Sequence, residues 1–312
     1  MRWIIMSMAW FLGAALPMVP ARAQTIAAAA LPGGTTLPYY ISAFPPAAVT
    51  AITIGVQGYN RDANRTFAAT AAASPPGTVV VAPLFQVTAR DAGRCHYPGT
   101  PPAAAGNALW TCGGWATGRP ATNAGLTSFA AMDALLAQLH ARYPGARRIT
   151  LAGFSAGGQF VQHYIGFARP PAGVAMRYIV ADPSAFVYFD SYRPYPPAPG
   201  TCPKVDDWRY GTADLPAYLG RGAAAARAVY AGADITYLEG GDDTGTSNAA
   251  AYRLLEKNCS AQAQGPFRLE RGEAYARYDA AMLARGGHRL VIVPGCAHRV
   301  GCVFVHAHEI FE

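Results

Sequence analysis

A serine, a pair of aspartates and a histidine stand at turn positions along the chain, in that order. Ser155 lies in Gly153-Phe154-Ser155-Ala156-Gly157, where an apolar run over 149–152 passes directly into a segment of helical pattern. In a strand–turn–helix setting this places the serine on a tight, strained turn with its hydroxyl exposed above a sheet. The flanking glycines suit such a turn, because side chains there collide with the neighbouring strand and helix. A serine hydroxyl is a weak nucleophile at neutral pH until an imidazole accepts its proton. The imidazole in turn needs a carboxylate to hold its tautomer and stabilise the imidazolium. Asp242 and Asp243, after Gly240-Gly241, and His298, after Pro294-Gly295-Cys296-Ala297, are candidates for those roles. The competing readings are a glycine-rich packing turn and an acidic turn that solvates a strand end.

The pattern around these residues predicts the elements that carry them. Apolar, β-branched runs predict strands over 49–56, 78–82, 148–153, 176–181, 234–239 and 288–293. Helical spacing predicts helices over 64–73, 122–143, 156–167, 223–230, 249–256 and 271–285,. Residues 24–47 read as an irregular lead-in, and 86–120 as loop. Strands alternating with helices argue for an open, mainly parallel sheet covered on both faces, with its chemistry at the carboxyl ends of the strands. Ser155, the aspartate pair and His298 each follow such an end. His96, His140 and His163 precede the acids, His288 opens a strand, and His306 and His308 fall in the tail. The alternation breaks over 186–222, where Pro194, Pro196, Pro197, Pro199 and Pro203 interleave with tyrosines. This stretch reads as an insertion after the strand ending near Ala181, a candidate cap over the site. Trp110, Trp115, Phe186, Tyr188 and Tyr192 read first as core or cap packing.

The chain has 312 residues, 52% hydrophobic and 14% charged, enough to bury a substantial core. Residues 1–23 have the form of a secretory signal peptide: Arg2, an apolar stretch over 3–16, and Ala21-Arg22-Ala23 at the cleavage positions,. The apolar stretch is shorter than the roughly 20 residues of a spanning helix, and Pro17 and Pro20 interrupt it,. The expectation is therefore a secreted or periplasmic protein, cleaved near Ala23, with residues 24–312 as a single domain and no stable membrane insertion. Loss of Arg2 and Arg22 lowers the net charge of +7 to +5. The basic residues form no run, which disfavours nucleic acid as a partner. Six cysteines follow the leader, an even number that suits disulfides in an oxidising compartment,. Neighbourhood favours Cys95–Cys112 and Cys296–Cys302, leaving Cys202–Cys259. A zinc site is the poorer alternative, since no Cys-x-x-Cys pair is present.

With these residues in view, the sequence resembles the α/β-hydrolase superfamily. It is most similar to a secreted, serine-esterase-like subgroup with Gly-Phe-Ser-Ala-Gly-Gly-Gln-Phe at the nucleophile. Gly58-Tyr59-Asn60-Arg61-Asp62, Asp182-Pro183-Ser184 and Trp208-Arg209-Tyr210-Gly211 extend the likeness over most of the mature chain. One departure is Gln57-Gly58, where the superfamily commonly has His-Gly. The resemblance implies Ser155 as nucleophile, His298 as general base, and an oxyanion hole from the N–H groups of Ala156 and Tyr59. It implies Asp243 as the acid, by its spacing from Gly240, with Asp242 as alternative and Asp182 third. No metal and no organic cofactor is implied. The expected activity is hydrolysis of a small-molecule or polymeric carboxylic ester. A peptidase or amidase on the same residues, or a catalytically silent ligand- or partner-binding homologue, are the alternatives.

Overall fold

The computed structural model describes residues 24–245, 249–284 and 287–312; the leader expected over 1–23 lies outside them. Eight strands make the main sheet: β1 (Gln24–Ala30), β2 (Thr36–Ser42), β3 (Ala51–Val56), β4 (Thr78–Pro83), β5 (Arg148–Phe154), β6 (Ala175–Ala181), β7 (Asp234–Gly240) and β8 (Arg289–Val293). Their order is β1-β2-β4-β3-β5-β6-β7-β8. The pairs from β4 to β8 are parallel, and β1–β2 and β2–β4 are antiparallel.

Period-two alternation along the central strands feeds two cores. Ile149, Leu151, Tyr178, Val180, Ile235 and Tyr237 face one side. Ala152, Phe154, Ile179, Ala181 and Leu238 face the other. The first side is covered by α2 (Ser128–Arg142), α3 (Ala156–Ile165), α4 (Ala223–Ala231) and α5 (Arg268–Met282). The second is covered by α1 (Ala63–Ala73) and α6 (Val300–His306). Strands buried on both faces read as near-continuous apolar runs, which is why the parallel strands from β3 to β7 were predictable.

Three departures from the sequence reading have local causes. Residues 24–42 form a β-hairpin, not an irregular lead-in; its alanine-rich first strand has too little apolar contrast to signal a period. Gly33 and Gly34, at φ 89° and 84°, turn the hairpin, and Tyr39–Ile41 pair with β4. Helix α2 begins at Ser128 because the Thr127 hydroxyl accepts the Ala130 N–H at 3.0 Å, capping it there,. The expected insertion has little regular structure beyond a single 3₁₀ turn at Ala217–Leu219. Its first residues are core: Phe186 stacks on Tyr275 of α5 at 4.4 Å. Disulfides join Cys95 to Cys112, Cys202 to Cys259 and Cys296 to Cys302.

Candidate active site

Strand β5 delivers Ser155 at its carboxyl end, and α3 begins at the next residue. Ser155 has φ 59° and ψ −120°, a conformation costly for any residue with a Cβ,. The turn is this tight because backbone passes on both sides. A Cβ on Gly153 would lie 2.0 Å from the Gly157 carbonyl oxygen, and one on Gly157 would lie 2.2 Å from that of Val56 in β3. The N–H groups of the first turn of a helix have no acceptor inside it, so that of Ala156 is directed at the space beside Ser155.

His298 and Asp243 approach from the ends of β8 and β7. His298 Nε2 lies 2.9 Å from Ser155 Oγ, and Nδ1 lies 2.5 Å from Asp243 Oδ2. Asp243, 1% exposed, is therefore the aspartate that meets the histidine, while Asp242 beside it is exposed. The two turns are laced together: Gly241 N–H donates to Val293 O at 2.8 Å, and Asp242 N–H to Cys296 O at 2.9 Å. Burial and the Arg268 guanidinium push the His298 imidazole down to about 4, against the pull of Asp243; Arg65 pushes it the same way. The ring is thus neutral, able to accept a proton, across the neutral range.

Behind this row lies a buried acid cluster that sequence reasoning saw only in part. Asp182, Glu239 and Arg268 are all at most 2% exposed. Arg268 Nη1 is 3.7 Å from Asp243 Oδ1, and Asp182 Oδ1 accepts the Gly240 N–H at 2.9 Å. Burial and Asp243 raise the Asp182 carboxyl to about 7, and burial beside Asp182 raises Glu239 well above the carboxylate range. As two carboxylates, Asp182 and Glu239 have no donor between them; a protonated Glu239 donates to Asp182 and satisfies both,. Helix α5 makes room for Glu239 at Gly272, where a Cβ would lie 2.1 Å from Oε1. The available signal was a glutamate inside the apolar run of β7. Asp182, Asp243 and His298 present donor atoms within 4.8 Å of one another, but Arg268 already supplies the cation there. The other grouping with metal-ligand character among the described residues contains Cys296 and Cys302, which are oxidised to each other.

Ser155 and His298 open into a cavity of ≈420 Å³, whose walls include Tyr59, Asn60, Ala156 and Arg268. A second, of ≈470 Å³, adjoins it and shares Tyr59, Ala156, Gln159 and Glu256. The loop bearing Tyr59 is braced from within. Asp62 Oδ1 accepts the Gly58 N–H at 2.7 Å, and the buried Arg61 donates to Cys95 O at 2.9 Å and Gln86 Oε1 at 2.8 Å. Trp110, Trp115, Phe186 and Tyr188 are wholly buried in the core and line neither cavity. From the Pro/Tyr-rich segment, Arg209 reaches the second cavity.

No family model matches the chain, and no curated protein does. Solved structures do. Poly(aspartic acid) hydrolase-1 from Sphingomonas sp. KT-1 superposes with a TM-score of 0.62 at 19% identity, over 94% of this chain and 99% of that one. A poly(3-hydroxybutyrate) depolymerase from Bordetella parapertussis superposes with a TM-score of 0.64 at 20% identity, over 93% and 90%. This chain has the α/β-hydrolase fold. Within that fold, Ser155, Asp243 and His298 come from the ends of β5, β7 and β8. Among the described residues no helix is long and apolar enough to cross a membrane.

Proposed function

We propose that the protein is an exported serine hydrolase that cleaves a carboxylic ester through an acyl-enzyme intermediate. The observation that carries this reading is the unbroken row Ser155–His298–Asp243, at 2.9 and 2.5 Å, opening into a cavity. His298 takes the Ser155 proton as Oγ attacks the ester carbonyl, and Asp243 stabilises the imidazolium. The backbone N–H groups of Ala156 and Tyr59 receive the oxyanion, a form of charge stabilisation worth about 3 kcal/mol per donor. His298 then protonates the departing alkoxide, activates water against the acyl carbonyl, and the acid leaves with Ser155 restored. The three disulfides support an oxidising compartment and thus export,. Two structural neighbours are named for polymers, poly(aspartic acid) and poly(3-hydroxybutyrate). Together with the adjoining cavities they favour a polymeric or oligomeric substrate over a single small ester.

The test is labelling of the purified mature protein with a fluorophosphonate, alongside turnover of short p-nitrophenyl esters. Wild type is expected to be labelled and to turn over an ester, and Ser155→Ala to do neither. A folded, disulfide-bonded wild type that takes no label would overturn the hydrolase reading in favour of a silent binding homologue.

A further inference from the structure

The walls of the two adjoining cavities carry more positive charge than they can pair. Their carboxylates are each engaged: Asp62 with the Gly58 N–H at 2.7 Å, Asp91 with Arg94 at 3.2 Å, and Glu256 with Arg209 at 2.8 Å. Arg268 faces Asp243. Arg65, Arg90 and Arg253 also line the walls, are exposed, and make no ion pair with any described residue, although Arg65 acts on the Asp62 carboxyl at longer range. They flank the candidate nucleophile. Arg65 and Arg253 line the cavity that contains Ser155 and His298, and Arg90 lines its neighbour beyond Tyr59 and Ala156.

Guanidinium groups left over in a cleft focus a positive potential there and present planar forks that match a carboxylate. A neutral polyester would draw nothing from them. We propose that the substrate is an anionic oligomer with carboxylates on both sides of the scissile bond, held by Arg65 and Arg253 on one side and Arg90 on the other. This rests on the hydrolase reading above and names the substrate class for the same site. The arrangement also bears on the chemistry. Arg65 opposes protonation of His298, so a carboxylate seated on Arg65 offsets that opposition and makes His298 a better base. Anionic substrates thus gain in the chemical step as well as in binding. The net charge of the chain, +5 once Arg2 and Arg22 leave with the leader, acts in the same direction at longer range.

The experiment compares two esters of equal size: mono-p-nitrophenyl adipate, which ends in a carboxylate, and methyl p-nitrophenyl adipate, which does not. In wild type kcat/KM is expected to favour the carboxylate by about ten-fold at low ionic strength, and the preference to shrink at about 0.5 M salt. Either the Arg65→Gln/Arg253→Gln pair or Arg90→Gln brings the ratio close to one, and which does so identifies the acyl side. A wild-type ratio at or below one, with the methyl ester turned over, overturns the anionic substrate while leaving the hydrolase. Variants that fold and all keep the full preference overturn the assignment to these arginines. If neither ester is cleaved and no phosphonate label is taken, the hydrolase reading fails and this proposal falls with it. Should the double variant not fold, the salt dependence of the wild-type ratio still decides.

Discussion

The turn that carries Ser155 and the turns that carry Asp243 and His298 meet within hydrogen-bonding distance, yet different forces hold them. Ser155 is held by main chain alone. Glycines let α3 press against β3 and β5, and the serine is forced to positive φ between them. The acid and histidine turns share that constraint chiefly at Gly240, where a Cβ would lie 2.6 Å from the Cys296 carbonyl oxygen. They are tied by cross-turn hydrogen bonds, by the Cys296–Cys302 disulfide that brackets His298, and by Arg268 at the back of Asp243. A steric constraint admits almost no substitution, whereas a network of bonds weakens in steps. The two halves of the site are therefore expected to fail in different ways.

The largest effect is expected where the network touches chemistry directly. Asp243→Asn keeps the shape but removes the charge that orients the imidazole, and kcat should fall by about 10⁴-fold. Asp242→Asn, whose side chain does not meet His298, should change kcat by less than about three-fold. Steady-state kinetics on the two variants checks this, and a larger loss at Asp242 would reverse the assignment. Next comes the steric half. Gly157→Ala drives a methyl group into the Val56 and Gln57 carbonyl oxygens, which are backbone and have nothing flexible to yield. A loss of about 3 kcal/mol in unfolding free energy is expected, measured by denaturant titration, with activity lost in proportion.

The disulfides extend the comparison to stability. By loop-closure entropy, Cys296→Ser/Cys302→Ser opens a short loop and should cost about 2 kcal/mol, while opening Cys202–Cys259 should cost about 4. The sequence separations are 6 and 57 residues. The smaller stability loss should nonetheless carry the larger loss of kcat, since it frees the turn bearing His298. If the long-loop variant loses more activity than the short-loop one, the bracing role assigned to Cys296–Cys302 is wrong.

The same division explains what was legible in the chain. The serine turn was readable because steric demands write themselves locally, as glycines at fixed offsets from Ser155. The parallel strands from β3 to β7 were readable because burial on both faces leaves long apolar runs, whereas β8 is mostly exposed. The hairpin over 24–42 was missed because its register depends on pairing with β4, and Ala-rich strands carry no period of their own. The choice between Asp242 and Asp243 rested on likeness, since adjacent residues at a strand end point in different directions only once the turn is built. Arg268 was invisible as a site residue, and Glu239 showed only as a glutamate inside the apolar run of β7. They reach Asp243 and Asp182 from α5 and from within β7, through contacts between segments that no spacing rule connects.

The finest test of the network half is the pH at which the imidazole stops accepting a proton. Burial and Arg268 lower His298 to about 4, with Arg65 adding to the shift. A base works only when unprotonated, so kcat/KM is expected to be full at neutral pH and to fall as pH drops through that value. The acid limb should therefore lie well below the 6.5 of a free imidazole. Arg65→Gln removes one repelling charge, so protonation becomes easier and the limb moves up, by a fraction of a unit at about 0.1 M salt where exposed charges are screened. Arg268→Gln should not give a clean counterpart, because it also strips the buried Asp243 of its cation. Profiles of kcat/KM for wild type and Arg65→Gln, with circular dichroism to confirm folding at each pH, provide the check. An acid limb at 6.5 in wild type, or one that moves down in Arg65→Gln, would mean that Asp243 outweighs burial and the guanidinium groups at this histidine.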